Sequence, residues 1–371
     1  MCPLRLARMK RHVLLRSALA TALMTVLAFV AAPAAQACAC GGFVAAEGAD
    51  VAASTENVVL SWDGTTERVL LSMDALTDST EAALLIPTPS PAEAALADTS
   101  VFSELEEVTA PEEVVEYTWW PDLGFGAGAA GAAPGADGAG VSVLDTKVLG
   151  DLEVSVLAAD DADRLARWLD EHGYVMRDTL ADALMPYVSE GWYYLAVRLT
   201  TEAENLSGAL QPLDITFASD QMIYPMRLSA AAADSQHVRT YVFSDHRVQR
   251  TDETSSNGEL DIWFAGEVAA SQVTSDALVS IVAEHSYLTV QDHYFPDPES
   301  QIVSDFTFGR AASDTPYREQ RYETRMREVM GIPAGPALTI IGMVVVLVGV
   351  LALSGLTRRR RRRLRLAAAA G

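Results

Sequence analysis

The chain has 371 residues, with 50 acidic against 27 basic side chains and a net charge of −23. Five of the basic residues lie within residues 1–37 and seven within residues 357–371, and neither stretch holds an acid, so the part between carries 15 basic against 50 acidic groups. Such an acidic surface excludes nucleic acid, whose binding depends on cationic side chains meeting phosphates, and two cysteines beyond residue 37 cannot form a disulfide framework for a domain of this size.

Residues 1–37 combine Arg5, Arg8, Lys10, Arg11 and Arg16 with an apolar run from Ala18 to Ala32. They close on Ala35-Gln36-Ala37, the small-x-small pattern of a signal-peptidase site. Cleavage there starts the mature chain at Cys38-Ala39-Cys40. Strand patterns follow at Asn57–Trp62, Glu67–Asp74 and Ala82–Pro87, and Asp63-Gly64 between the first two is a hairpin signal. Ser90, Pro91 and Glu93 read as the capping box of a short helix over Pro91–Ala97. A second helix is expected over Val101–Val108, and a strand over Glu112–Trp120.

Residues 124–140 are nearly all Gly and Ala, with too little apolar bulk to pack. This predicts a linker between an N-terminal strand-rich module, residues 38–123, and a second α+β module, residues 141–315. In the latter, Val141–Lys147 and Leu152–Ala158 read as paired strands. Asp160 as cap, Leu165, Trp168 and Leu169 on one face, and Gly173 at the left-handed terminal position define a helix. Further strands are predicted at Trp192–Thr200, Leu213–Ala218, Met222–Leu228, Val238–Phe243, Ser286–Phe295 and Ile302–Phe308, with a helix at Val273–Ala283. Thr315 then caps a charged juxtamembrane helix over residues 316–335. Pro336–Leu356 is 21 residues without a charge, long enough to cross a bilayer. Arg358–Arg363 and Arg365 follow in a tail, residues 357–371, that holds the C-terminus in the cytoplasm. The expected architecture is a strand-rich α+β ectodomain of two modules plus one C-terminal transmembrane helix, residues 336–356, with the N-terminal domain outside the cell membrane.

Several of these pieces together resemble a bacterial family known as domain of unknown function 2330. The matching runs are Cys38-Ala39-Cys40-Gly41-Gly42-Phe43 and Leu85-Ile86-Pro87-Thr88-Pro89-Ser90. Val156 to Asp161 leading into Leu169-Asp170-Glu171-His172-Gly173-Tyr174 also matches, as do Tyr187-Val188-Ser189-Glu190-Gly191-Trp192 and Ile223-Tyr224-Pro225-Met226-Arg227-Leu228. The resemblance implies an exported or membrane-anchored protein and brings no catalytic residues with it. Similar proteins often carry a further cysteine after the double glycine; here those positions are Phe43, Val44 and Ala45.

Cys38 and Cys40 admit three readings. They form a disulfide across one residue, or Cys38 is an N-terminal nucleophile beside its own α-amine, or Cys38 is lipidated, for which Ala35 stands where a lipobox has Leu. Asp292, Asp297 and Glu299, near His285 and His293, are the candidate ligands of a hard cation; the alternative is a polar strand running into a Pro-rich turn. Ser244-Asp245-His246 resembles a triad in composition alone, and no Gly-x-Ser-x-Gly elbow or phosphate-cradling loop is present. Trp119, Trp120, Trp192, Tyr193, Tyr194, Trp263 and Phe264 either fill the core or line a glycan- or peptide-binding face. Gly335, Gly342 and Gly349 repeat every seven residues, a stripe on which spans can approach. With no catalytic constellation and no cofactor motif, the sequence favours a non-catalytic surface-binding or envelope scaffold protein. The alternatives are an extracytoplasmic thiol enzyme using Cys38 or Cys40 and a divalent-cation-dependent sensor.

Overall fold

The computed structural model describes residues 42–44, 52–120, 146–147, 153–158, 162–176, 178–232, 234–329 and 331–368. The expected signal segment, Cys38, Cys40, Asp160 and the Gly/Ala linker lie outside these residues. The protein is strand-rich α+β and divides into two compact units. The first takes described residues up to Val108 and from 146 to Tyr317; the second takes Thr109 to 120 and Arg318 onward.

The first unit is layered helix–sheet–sheet–helix. Its strands are β1 (Gly42–Val44), β2 (Ala52–Trp62), β3 (Thr66–Leu76), β4 (Glu81–Thr88) and β5 (Ala92–Leu96), followed by helix α1 (Val101–Thr109). Strand β6 (Glu112–Thr118) belongs to the second unit. The first unit resumes with β7 (Thr146–Lys147), β8 (Glu153–Ala158), α2 (Ala162–Glu171), α3 (Asp178–Glu190), β9 (Tyr193–Thr200), β10 (Gly208–Leu210), β11 (Leu213–Ala218) and β12 (Ile223–Tyr224). After a 3-10 turn at Arg227–Ala231 come β13 (Gln236–Ser244), β14 (Val248–Arg250), β15 (Glu259–Glu267), α4 (Asp276–Glu284), β16 (Tyr287–Phe295), α5 (Pro298–Gln301) and β17 (Phe306–Arg310).

The larger sheet runs β15-β16-β13-β2-β3, with β11 and β10 continuing from β3, β5 paired to β11 and β7 to β10. The smaller runs β1-β4-β9-β8, and β12-β17-β14 form a third. Side chains alternate between the faces of a strand, and in β2, β3 and β4 both faces are buried. Val58, Leu60, Val69 and Leu71 meet Leu84, Ile86, Leu195 and Val197 in the layer between the sheets. Val59, Leu70, Tyr241 and Leu288 point the other way, onto Phe102 and Leu105 of α1 and Leu278 and Ile281 of α4. Ala83, Leu85, Tyr194 and Ala196 lie against Leu165, Trp168 and Leu169 of α2 and Leu180 and Leu184 of α3. Strands buried on both sides read as continuous apolar runs, which is why these segments were legible.

Local chemistry fixes the connections. At the β2–β3 hairpin Gly64 has φ +99°, and the Asp63 carboxylate accepts the amides of Thr65 and Thr66, both at 2.8 Å. Glu104 of α1 accepts the amides of Thr274 at 2.7 Å and Ser275 at 3.1 Å, closing the N-terminal end of α4 from a different helix. A Cβ on Gly42 would stand 2.4 Å from Leu180 Cδ1, so α3 packs directly on the backbone of the double-glycine run.

Four expectations are corrected. Residues 38–123 and 141–315 do not form separate modules: β4 pairs along its whole length with β9, and β13 pairs parallel to β2. Pro91–Ala97 is not a helix but holds the edge strand β5, because β11 offers it a ladder from Phe217↔Ala92 to Leu213↔Leu96. Of the two segments expected to pair over 141–147 and 152–158, the described parts pair elsewhere: β7 runs beside β10 and β8 beside β9. The juxtamembrane helix expected over residues 316–335 does not form: its described residues before Ala334 are extended or turn backbone. The chain passes through β18 (Tyr317–Arg318) into β19 (Gln320–Met326), which runs parallel to β6 over seven paired positions. A hairpin of β20 (Glu328–Val329) and β21 (Ile332–Pro333) follows. The Gln-Arg-Tyr-Glu-Thr-Arg-Met segment offers only Tyr322 and Met326 as an apolar face, and a parallel partner satisfies its backbone instead. Helix α6 (Ala334–Ala368) ends the described chain, and its Ala334–Arg358 part is apolar and long enough to span a membrane.

Candidate functional site

The most densely connected polar cluster lies where α3, the 3-10 turn and β17 converge. Tyr187 and Glu190 stand three residues apart on α3 and so share a face. The helix ends at Gly191, φ +73°, and Trp192 folds back with its amide on the Tyr187 carbonyl at 3.0 Å. Asp305, just before β17, accepts four donors. Its Oδ1 takes the Tyr187 hydroxyl at 2.5 Å, the Met226 amide at 2.8 Å and the Arg227 amide at 3.1 Å; its Oδ2 takes Arg227 Nε at 2.8 Å. Arg227 then donates from both terminal nitrogens to Glu190, at 2.5 and 2.7 Å. Its guanidinium lies 4.2 Å from the Tyr187 ring centroid and 5.8 Å from that of Trp192.

The cluster grades from dry to wet: side-chain exposure is 7% at Asp305, 19% at Arg227 and 44% at Glu190. Burial, with the Asp305 charge, pushes the Tyr187 hydroxyl well above its ordinary range, so it remains a donor. Burial also works against the Arg227 charge, but its hydrogen bonds to Glu190 and the charge of Asp305 outweigh it and raise its pKa.

A second network begins at the next residue. Phe306 packs against Tyr224, His293 and Phe295, and the Arg250 guanidinium lies 3.2 Å from its centroid. Arg250 pairs with Asp252 through Nε at 2.6 Å and Nη2 at 2.5 Å, with both side chains almost fully buried. Its Nη1 meets His293 Nδ1 at 3.1 Å, and His293 Nε2 meets Thr240 Oγ1 at 3.2 Å. An arginine donates only, which assigns the acceptor role to Nδ1 and the proton to Nε2. Burial, then the Arg250 charge, holds the imidazole well below its ordinary pKa, so the ring is neutral. Every hydrogen-bonding group of the two networks except the buried Tyr224 hydroxyl is engaged by another of the protein's own groups. The arrangement locks elements together and leaves no free base beside a nucleophile.

Cys38 and Cys40 lie outside the described residues. Asp292 is gripped by Arg239 through Nε at 2.6 Å and through Nη2, with His237 Nε2 3.7 Å away and Trp263 under the guanidinium. Asp297 accepts Ser300 Oγ at 2.6 Å, and Glu299 lies in the first turn of α5. Among the described residues, no three His, Cys, Asp or Glu side chains are grouped to hold a metal ion. Ser244 donates to the His246 carbonyl, while Asp245 pairs with His285 Nδ1 at 2.9 Å, so the three consecutive residues do not face one another. Of the aromatics, Tyr194 and Phe264 are buried, Trp192, Tyr193 and Trp263 half-buried, and Trp119 and Trp120 exposed. Asp305, Arg250 and Asp252 were missed by sequence reasoning. All three stand in locally polar stretches, Val248 to Glu253 and Val303-Ser304-Asp305, so nothing in the local sequence marks them as buried.

Residues 33–309 match the profile of a family described as uncharacterised proteins conserved in bacteria, DUF2330. The chain belongs to this family. No curated protein matches this DUF2330 chain. Among solved structures it is similar to baculovirus P35, at 10% identity and a TM-score of 0.33, over 73% of this chain and 96% of that one. A mutated baculovirus P35 after caspase cleavage gives 10% identity and 0.33 over 71% and 98%. At that TM-score neither likeness bears on function.

Replacing Asp305 by Ala leaves Arg227 buried without its innermost partner, and urea unfolding is expected to show a loss of about 3–5 kcal/mol. Glu190→Ala, at the wet end, is expected to cost under about 1 kcal/mol. Equal losses would show that the carboxylates do not differ as their burial implies.

Two buried groups make stability depend on pH. Glu67, fully buried, accepts the Ile223 amide at 3.1 and 3.0 Å, and burial raises its carboxyl well above the ordinary range. The folded state keeps that proton while the unfolded chain loses it. Stability therefore falls as pH rises above the unfolded carboxyl value, by about 1.4 kcal/mol per pH unit until the folded value is passed. His293 acts oppositely, with stability falling as pH drops below the unfolded imidazole value of about 6.5. Glu67→Gln is expected to raise the melting temperature at pH 7.5 and leave it nearly unchanged at pH 4.

Proposed function

We propose that this protein is a single-pass membrane protein whose folded part stands outside the cytoplasm and serves as a non-catalytic binding or scaffold protein of the cell envelope. The observation that carries the reading is helix α6. Its Ala334–Arg358 part is apolar, and only 6% of its most apolar window is buried by the rest of the protein. A helix of that length exposing Met343, Val345, Leu351 and Leu353 needs an apolar medium. The arginine block directly after it favours a cytoplasmic C-terminus, and the basic, apolar, small-residue pattern of residues 1–37 fits export. The non-catalytic part is supported by the inward pairing of Asp305, Arg227, Arg250, Asp252 and His293. A strongly acidic exterior, carrying most of the 50 acids, suits a domain held off an anionic lipid surface.

The test is fractionation of cells expressing the full chain with a tag after Gly371. Retention in the membrane pellet after alkaline washing is expected, with protease added to intact spheroplasts removing the folded part and sparing the tag. Release by alkali, or loss of the tag to external protease, would contradict the reading.

A further inference from the structure

The second unit contains a two-stranded ribbon of β6 and β19. Strands β6 and β19 run parallel from Glu112↔Gln320 to Thr118↔Met326, and their ends are hydrogen-bonded to the start of α6. Arg327 N donates to the Thr118 carbonyl at 2.9 Å, Ala334 N to the Arg327 carbonyl at 2.7 Å, and Gly335 N to the Trp119 carbonyl at 2.7 Å. The first amides of a helix have no partner within it, and an unpaired amide is costly at the edge of a hydrocarbon phase. Here the ribbon satisfies the first two, and the next residue, Pro336, has no N–H to satisfy.

Trp119 and Trp120 are held against this first turn. A Cβ on Gly335 would lie 2.5 Å from the Trp119 carbonyl oxygen and 2.7 Å from the Trp120 ring, so only glycine admits the contact. Both indoles nevertheless stay open, 47% and 55% exposed, and Tyr117 beside them is 56% exposed. The Arg327 guanidinium lies 5.1 Å from the Trp119 centroid and 5.7 Å from that of Tyr117. The depth of this group follows from helix geometry. Pro336–Leu356, at ~1.5 Å per residue, is ~31 Å long, close to the ~30 Å hydrocarbon core of a bilayer. Gly335 then falls at the hydrocarbon boundary, and the side chains beside it fall among the lipid headgroups. That is the layer preferred by amphipathic aromatic rings and by arginines with apolar stems. A lone two-stranded ribbon is marginal in water, and a lipid seat supplies the missing burial at its aromatic end.

We propose that Tyr117, Trp119, Trp120 and Arg327 form a collar that seats in the headgroup layer of the outer leaflet, with the lipid surface as its partner. The proposal rests on α6 spanning the membrane as read above. It is tested with the full chain in vesicles of phosphatidylcholine and phosphatidylglycerol containing lipids brominated either near the headgroup or deep in the acyl chain. Tryptophan emission is expected to be quenched more by the shallow bromines than by the deep ones. Trp119→Phe/Trp120→Phe should lose most of that quenching while keeping the native circular dichroism spectrum, and each single replacement should lose part of it. Vesicle retention at alkaline pH without shallow quenching would overturn the collar and leave the span standing, as would a double variant quenched as strongly as the native chain. Release of the native chain from the vesicles would overturn both.

Discussion

Asp305 is the constraint on which the small-sheet side of this fold depends. A carboxylate this buried is stable only while donors surround it, and its four donors come from α3 and from the backbone and side chain of the 3-10 turn. Helix α3 forms the outer layer over β4 and β9, the turn follows β12, and Asp305 immediately precedes β17. One side chain thus fixes the mutual position of three elements far apart in sequence. Its neighbour Phe306 does the same on the apolar side, with His293 of β16 and Arg250 of β14 pressed against its ring. Non-directional packing holds the layers together; the directed bonds at Asp305 specify how the outer helix is placed upon them.

The strands buried on both faces announced themselves in the sequence. Val58-Val59-Leu60, Val69-Leu70-Leu71 and Ala82 to Ile86 are apolar runs because each strand has a core on either side. The Asp63-Gly64 hairpin, α1, α2 and α4 were legible for equally local reasons: a turn residue with positive φ, or an apolar stripe with punctuation. What was not legible depended on distant partners. Pro91–Ala97 has a sound capping box, yet the open edge of β11 decides its conformation. The Gly/Ala stretch looked like a boundary because composition reports local packing and not pairing; only the ladder between β4 and β9 reveals that the segments on either side share a sheet.

The candidate site was legible in half. Tyr187, Glu190, Trp192 and Arg227 all fall within the runs that carried the family resemblance, but nothing local says that they meet. Asp305, which joins them, lies in the unremarkable stretch Val303-Ser304-Asp305. The acids singled out for a cation, Asp292, Asp297 and Glu299, were chosen for proximity in sequence, and the structure answers Asp292 with an arginine from the neighbouring strand.

The central claim is that Asp305 couples α3, the 3-10 turn and β17 into one cooperative element. Native-state hydrogen exchange on the Asp305→Ala chain tests it most directly. Amides at the end of α3, in residues 227–231 and in β17 should lose protection together and to a similar degree, while those of β2, β3 and β13 keep theirs. Loss confined to β17, or a uniform loss across every strand, would contradict the account.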